Sequence, residues 1–264
     1  MNPRDALIYL SLKYKGDYTS ISSAIRLKEE VDSNTVDLVV KNLKCKVTTI
    51  LDPDYPASLQ SAIRPPFVIY YRGNLELIQD LDRTIGFVGS RDASSETLQY
   101  CENLSRELAE DGYVIVSGLA RGVDTAALKG ALKYGKAVAV LGNGINHYYP
   151  SENEELQKII GSNGLLLSEY PPNLTPTTHQ FPDRNRLIAA IANAMVIGNA
   201  DLHSGTMITA TFAMSYGRDV GCLPSLPGKN SGCNALIKDG ALLVETKEDV
   251  LSLLNPYLAK ADFK

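Results

Sequence analysis

From Thr84 onward, short apolar runs alternate with longer stretches in which apolar residues recur every three or four positions. The runs are Thr84–Val88, Val114–Ser117, Ala137–Leu141, Leu165–Ser168, Ala194–Ile197, Asp219–Leu223 and Ala241–Val244. Between them the periodicity predicts helices over Ser95–Asp111, Thr125–Tyr134, Glu152–Ile160, Arg186–Ala192, Thr206–Tyr216 and Glu248–Leu254. Strands that are apolar throughout are buried on both faces. Alternation with helices then implies a parallel sheet with helices packed on each side. The predicted fold class is α/β, doubly wound.

The pattern upstream is different. Residues 1–45 read as a small helical N-terminal unit, a hairpin of helices around Asp5–Leu10 and Thr19–Glu30 with Ser and Thr as caps. Lys46–Leu51 is a β-branched run ended by Asp52-Pro53-Asp54-Tyr55-Pro56, and Phe67–Tyr71 is a second strand closed by Arg72-Gly73-Asn74. The predicted organisation is a helical unit over 1–45 and a larger domain over 46–264.

Composition narrows the class. At 264 residues and 44% hydrophobic, the chain buries a sizeable core. No stretch reaches the 18 or so apolar residues of a membrane span. The opening Met1-Asn2-Pro3-Arg4-Asp5 lacks the layout of a secretory signal, so a cytoplasmic protein without membrane contact is expected. Cys45, Cys101, Cys222 and Cys233 form no C-x-x-C pair, and there are only three histidines, so no zinc cage is expected. The net charge of −4 excludes a uniformly basic surface. Any polyanion must be held by a few placed cations.

In a doubly wound sheet, ligands bind beyond the carboxyl ends of the strands. Four glycine turns fall there. Gly89-Ser90-Arg91 joins a permissive backbone, a hydroxyl and a fixed cation close to a helix start, a combination suited to phosphate. Ser117-Gly118 opens a turn that reaches Asp124, whose simplest role is to cap the next helix. Gly142-Asn143-Gly144 carries two glycines of a dinucleotide fingerprint but lacks the third and the acidic residue, so no nicotinamide cofactor is expected. Ser204-Gly205-Thr206 has the form of an anion-binding nest, or of ordinary helix caps.

The densest candidate chemistry lies in His179-Gln180-Phe181-Pro182-Asp183-Arg184-Asn185-Arg186, read as an extended, proline-containing turn before an apolar helix. An aromatic face stacks on any base and a guanidinium holds phosphate bidentately, so Phe181, Arg184 and Arg186 can clamp a single strand. Alternatively, Phe181 plugs the core and the arginines pair with Asp183 and its neighbours. No catalytic set accompanies them: there is no G-x-S-x-G, no G-x-x-x-x-G-K-[ST] and no H-E-x-x-H. Glu169 is an isolated carboxylate at the same edge, best read as a helix cap or loop anchor.

In order and spacing, these turns resemble the DNA-processing protein A (DprA/Smf) family. Further matches are Tyr55-Pro56-x-x-Leu59, Tyr149-Pro150, Ser168-Glu169-Tyr170-Pro171, Pro227-Gly228 and Gly232-Cys233-Asn234-x-Leu236-Ile237. The likeness covers roughly 46–250. It implies an extended Rossmann-like domain that binds single-stranded DNA as a homodimer and loads RecA recombinase during natural transformation, without a catalytic step or cofactor. By position, it implies a DNA site of Gly89, Ser90, Arg91, Ser117, Gly118, His179, Phe181, Arg184, Asn185, Arg186, Ser204 and Gly205.

The chain departs from that pattern in places. His179 and Gln180 stand where the family often has a basic residue, and Gly198-Asn199 replaces a carboxylate-bearing strand end. No C-terminal winged-helix domain is expected. Two rivals share the architecture. LOG-type phosphoribohydrolases carry a Pro-Gly-Gly-x-Gly-Thr turn and a helix bearing Glu, yet no glutamate follows Ser204 through Tyr216 here. A nucleotide-sensing module would use the same pocket without turnover.

Overall fold

The structure is a computed structural model that describes residues 2–226 and 231–254. Pro227 and Gly228, and the end of the expected large domain, lie outside those residues.

Three short helices open the chain: α1 (Pro3–Lys13), α2 (Tyr18–Arg26) and α3 (Ser33–Lys41). The side chains of Asn2, Asp17 and Asp32 accept from the backbone N–H groups of Arg4, Ser20 and Thr35, so each helix has its own cap. The expected hairpin is therefore a trio, because Asp32 starts a third helix. Next come β1 (Lys46–Thr49), α4 (Ala57–Gln60) and β2 (Val68–Gly73). The alternating part follows: β3 (Thr84–Val88), α5 (Ser95–Glu110), β4 (Val114–Ser117), α6 (Val123–Leu132), β5 (Ala137–Val140), α7 (Glu154–Asn163) and β6 (Leu165–Ser168). The described chain ends with α8 (Gln180–Ile191), β7 (Ala194–Ile197), α9 (Gly205–Ser215), β8 (Asp219–Cys222), α10 (Gly232–Lys238), β9 (Leu242–Leu243) and α11 (Lys247–Leu254).

The strands form one sheet in the order β1-β2-β6-β5-β4-β3-β7-β8-β9. From β6 to β9 every pairing is parallel, while β1 and β2 are antiparallel additions at one edge. The chain moves outward from β3 through β4 and β5 to β6, then crosses back to place β7 on the other side of β3. The expected doubly wound α/β, Rossmann-like architecture is thus present, with its reversal between β3 and β7.

Alternation along the strands sorts the core into two layers. Ile85 and Phe87 of β3 pack with Leu104 and Leu108 of α5 and with Val123 and Leu128 of α6. Val88, Val114, Val116 and Val138 point the other way, into the layer holding Leu187 and Ile188 of α8 and Ala210 of α9. Leu7 and Ile8 of α1 belong to the same cluster as Val68 and Tyr70 of β2. Arg4 anchors the junction by donating from Nε to both carboxylate oxygens of Asp52, at 3.0 and 2.8 Å.

One expectation is overturned. Residues 180–186 are not an extended turn; α8 begins at Gln180. Pro182 is its third residue, where the missing N–H is one that a first turn leaves unpaired anyway. Helical geometry then decides which side chains act together. Arg184 and Asn185 follow Phe181 by three and four positions and share its face, whereas Arg186, about 140° further round, does not.

Candidate nucleic-acid interface

The reversal opens a cleft beyond the carboxyl ends of β3 and β7, the place where doubly wound sheets bind ligands. The loop after β3 is held from both sides. Ser90 N–H donates to the Asn199 carbonyl (2.8 Å), and Val123 N–H donates to the Ser90 carbonyl (3.2 Å). Gly122 allows this closeness: its φ is +76°, and a Cβ there would lie 2.3 Å from the Ser90 oxygen. With the backbone fixed, the Arg91 side chain projects into solvent and makes no hydrogen bond or ion pair with any described residue.

Arg184 enters the cleft from α8 and is buried. Its Nη1 donates to the Gly118 carbonyl (2.5 Å) and to the Val140 carbonyl, and its Nε to Asn185 Oδ1 (3.1 Å). Gly118 makes room, since a Cβ would sit 2.5 Å from the guanidinium carbon. Burial pushes the guanidinium down to about 10, against the pull of the nearby Asp124 carboxylate, and leaves it charged at neutral pH. Asp124 accepts from Gly118 N–H (3.1 Å) and Ala120 N–H (3.4 Å), so it ties down the β4–α6 loop. Burial pushes its carboxyl above the usual range while Arg184 pulls it back.

Phe181 provides the aromatic face. Its ring stacks on Tyr149, with centroids 5.1 Å apart and planes 27° from parallel. Gly142 packs against the ring, where a Cβ would come within 2.7 Å of Cδ1. Two cavities meet here. One, of about 500 Å³, runs over Ser90, Asn185, Ser204 and Gly205; the other, of about 320 Å³, runs over Gly118, Arg121, Tyr148 and Glu152. Arg91, Ala120, Tyr149, Phe181 and Arg184 line both. In the larger cavity, α9 presents its N-terminus. Ser204 stands at the cap but makes no cap bond, and its buried Oγ has no partner among the described residues. Free first-turn N–H groups and the helix dipole favour an anion at such an end.

Cations, an aromatic face and a helix N-terminus around one cleft suit a nucleotide or a phosphodiester strand. Residues 46–255 match the sequence profile of the family described as DNA recombination-mediator protein A. The chain belongs to that family. It is 42% identical over 207 residues to the DNA processing protein DprA of Streptococcus pneumoniae, covering 77% of this chain and 72% of that one. It is 38% identical over 208 residues to Protein Smf of Synechocystis, covering 77% of this chain but only 52% of the relative. The X-ray structure of the Streptococcus pneumoniae DprA superposes with a TM-score of 0.78 at 33% identity, over 94% of this chain and 92% of that one. DNA processing protein A from Helicobacter pylori, whose structure concerns its single-stranded DNA binding mode, gives 0.72 at 31% identity, over 82% and 97%.

Within this DNA-processing family member, the cleft gathers most of the residues expected from sequence: Ser90, Arg91, Gly118, Phe181, Arg184, Asn185, Ser204 and Gly205, with Gly89 in the wall. Three are placed elsewhere. Arg186 is removed by the turn of α8: it is buried and its Nη2 pairs with Glu169 Oε2 at 2.5 Å. Ser117 is buried in β4, where its Oγ donates to the Phe87 carbonyl (2.6 Å). His179 precedes α8, exposed, and lines neither cavity.

Glu169 is not a helix cap; it is the buried partner of Arg186. Burial pushes its carboxyl up, and Arg186 offsets this only in part. Nε and Nη1 of Arg186 and Oε1 of Glu169 have no partners among the described residues, so the pair is incompletely compensated. Sequence reasoning missed Tyr148 and Arg121 as site residues and used Tyr149 only as a motif position. An exposed Tyr-Tyr pair beyond a Gly-x-Gly turn was the available signal. Among the described residues, no three His, Cys, Asp or Glu side chains gather as metal ligands would, and no helix is long and apolar enough to cross a membrane.

Proposed function

We propose that this protein binds single-stranded DNA in the β3/β7 cleft and, as a cytoplasmic homodimer, delivers it to RecA recombinase during DNA uptake and recombination. The observation that carries the reading is Arg91, an exposed cation without a partner among the described residues, beside the Phe181–Tyr149 stack and the fixed Arg184. Phosphate meets the arginines and a base meets the rings, which needs no sequence-specific base contact. A single strand suits a chain of net charge −4, because a few placed cations replace a broad basic surface. Family membership and the Helicobacter pylori structure support the same ligand.

Binding without turnover is the chemistry that the cleft's own groups favour. Asp124 is committed to backbone N–H groups, and among the described residues Ser204 Oγ has no hydrogen-bond partner to activate it. The test is a gel shift of labelled oligo-dT with wild type, Arg91→Ala and Phe181→Ala, alongside incubation with nucleoside monophosphates. Weakened shifts in both variants and intact monophosphates are expected. Cleavage of the monophosphates, or tight nucleotide binding without a DNA shift, would replace this reading with a phosphoribohydrolase or a nucleotide sensor. RecA delivery is read separately, as faster RecA filament formation on strands coated with single-strand-binding protein.

A further inference from the structure

The cleft holds two cavities, and the same side chains stand between them. Arg91, Tyr149, Phe181 and Arg184 line both, so neither cavity is an independent pocket. The smaller one, about 320 Å³, lies within the size range of small-ligand sites and carries polar groups of its own. Arg121 Nε and Glu152 Oε1 face each other there at 3.7 Å, and both side chains are more than half exposed. They offer a donor and an acceptor to the edge of a base.

Building on the single-strand reading above, we infer that the smaller cavity is a second base pocket, so that the site takes two adjacent nucleotides splayed about the Tyr149–Phe181 stack. The linking phosphate is then the group on which the two arginines converge. Arg184 is suited to this because Gly118 and Val140 fix its Nη1, while its Nη2 meets no acceptor among the described residues. Tyr149 acts in this arrangement as a stacking residue: its ring closes one pocket and backs Phe181 in the other. Arg121 and Glu152 become the groups that discriminate among bases at the second position.

The experiment titrates wild type with 5′-phosphorylated dT, the dinucleotide pTpT, and pTpT with an abasic sugar at either position. Two pockets make pTpT bind about ten- to a hundredfold more tightly than the mononucleotide, and an abasic sugar at either position removes most of that gain. Ser151→Trp, placed to fill the smaller cavity alone, brings pTpT down to the affinity of the mononucleotide. Equal binding of pTpT and mononucleotide by wild type, or an abasic series without effect, overturns the second pocket while oligo-dT binding leaves the single-strand reading standing. Failure to bind oligo-dT at all overturns both.

Discussion

Arg91 and Arg184 bring the same charge into the cleft by opposite routes. Arg91 rests on a pinned backbone, and its side chain makes no hydrogen bond or ion pair among the described residues; Arg184 is buried and fastened to two carbonyl groups. Replacing them should therefore separate binding from stability. Arg91→Ala is expected to weaken oligo-dT binding with a stability change within about 0.5 kcal/mol. Arg184→Ala removes a buried cation from Asp124 and two carbonyls, which is expected to cost about 3–5 kcal/mol in denaturant unfolding as well as affinity. Comparable stability losses in both variants would refute that division. The Glu169–Arg186 pair bears on pH. Its carboxyl is pushed above the usual carboxylate range in the folded chain. The folded state then holds a proton that the unfolded state releases, so stability falls as pH rises from the ordinary Glu value through the folded one. Glu169→Gln is expected to flatten that part of a stability–pH curve; an unchanged slope would show that Arg186 compensates the charge fully.

The first turn of α8 assembles the interface, and it marks where reading the sequence stopped short. The strands from β3 to β7 were legible because each is a short apolar run between turn residues. Their parallel pairing followed from the intervening helices, and the ligand edge followed from the glycine turns at the strands' carboxyl ends. The strand order, and with it the reversal between β3 and β7, did not, because it depends on long-range pairing. The start of α8 was misread because Pro182 looks like a helix breaker, whereas at the third helical residue it interrupts no hydrogen bond. That error carried Arg186 into the site, since side chains in an extended turn sort differently from those on a helix. Tyr149 and Arg121 were illegible for another reason: they come from loops that meet α8 only through long-range packing. Pro182→Ala should thus change stability by less than about 0.5 kcal/mol, while Ala189→Pro in the same helix costs about 3 kcal/mol or more, both read by chemical denaturation. A large loss in Pro182→Ala would mean that the proline shapes the turn after all.

Across the whole molecule, the N-terminal helices are part of the sheet's packing rather than an appended unit. Ile8 is fully buried in the cluster that contains Val68 and Tyr70, and Tyr70 donates to Ser11 Oγ at 3.1 Å. Deleting residues 1–45 is expected to expose that face, lower Tm by several degrees and raise binding of a hydrophobic dye. Oligo-dT affinity should be retained, because the cleft lies at the other strands. An unchanged Tm would show that the helices add nothing to the core. The central claim is that a few placed cations, Arg91 foremost, hold a single strand on an otherwise acidic protein. A titration of fluorescent oligo-dT at several salt concentrations, for wild type and Arg91→Ala, tests it most directly. Loss of one phosphate contact should lower the slope of log affinity against log salt by about 0.7 and weaken binding to every sequence alike. Identical slopes and affinities for the two proteins would contradict the account.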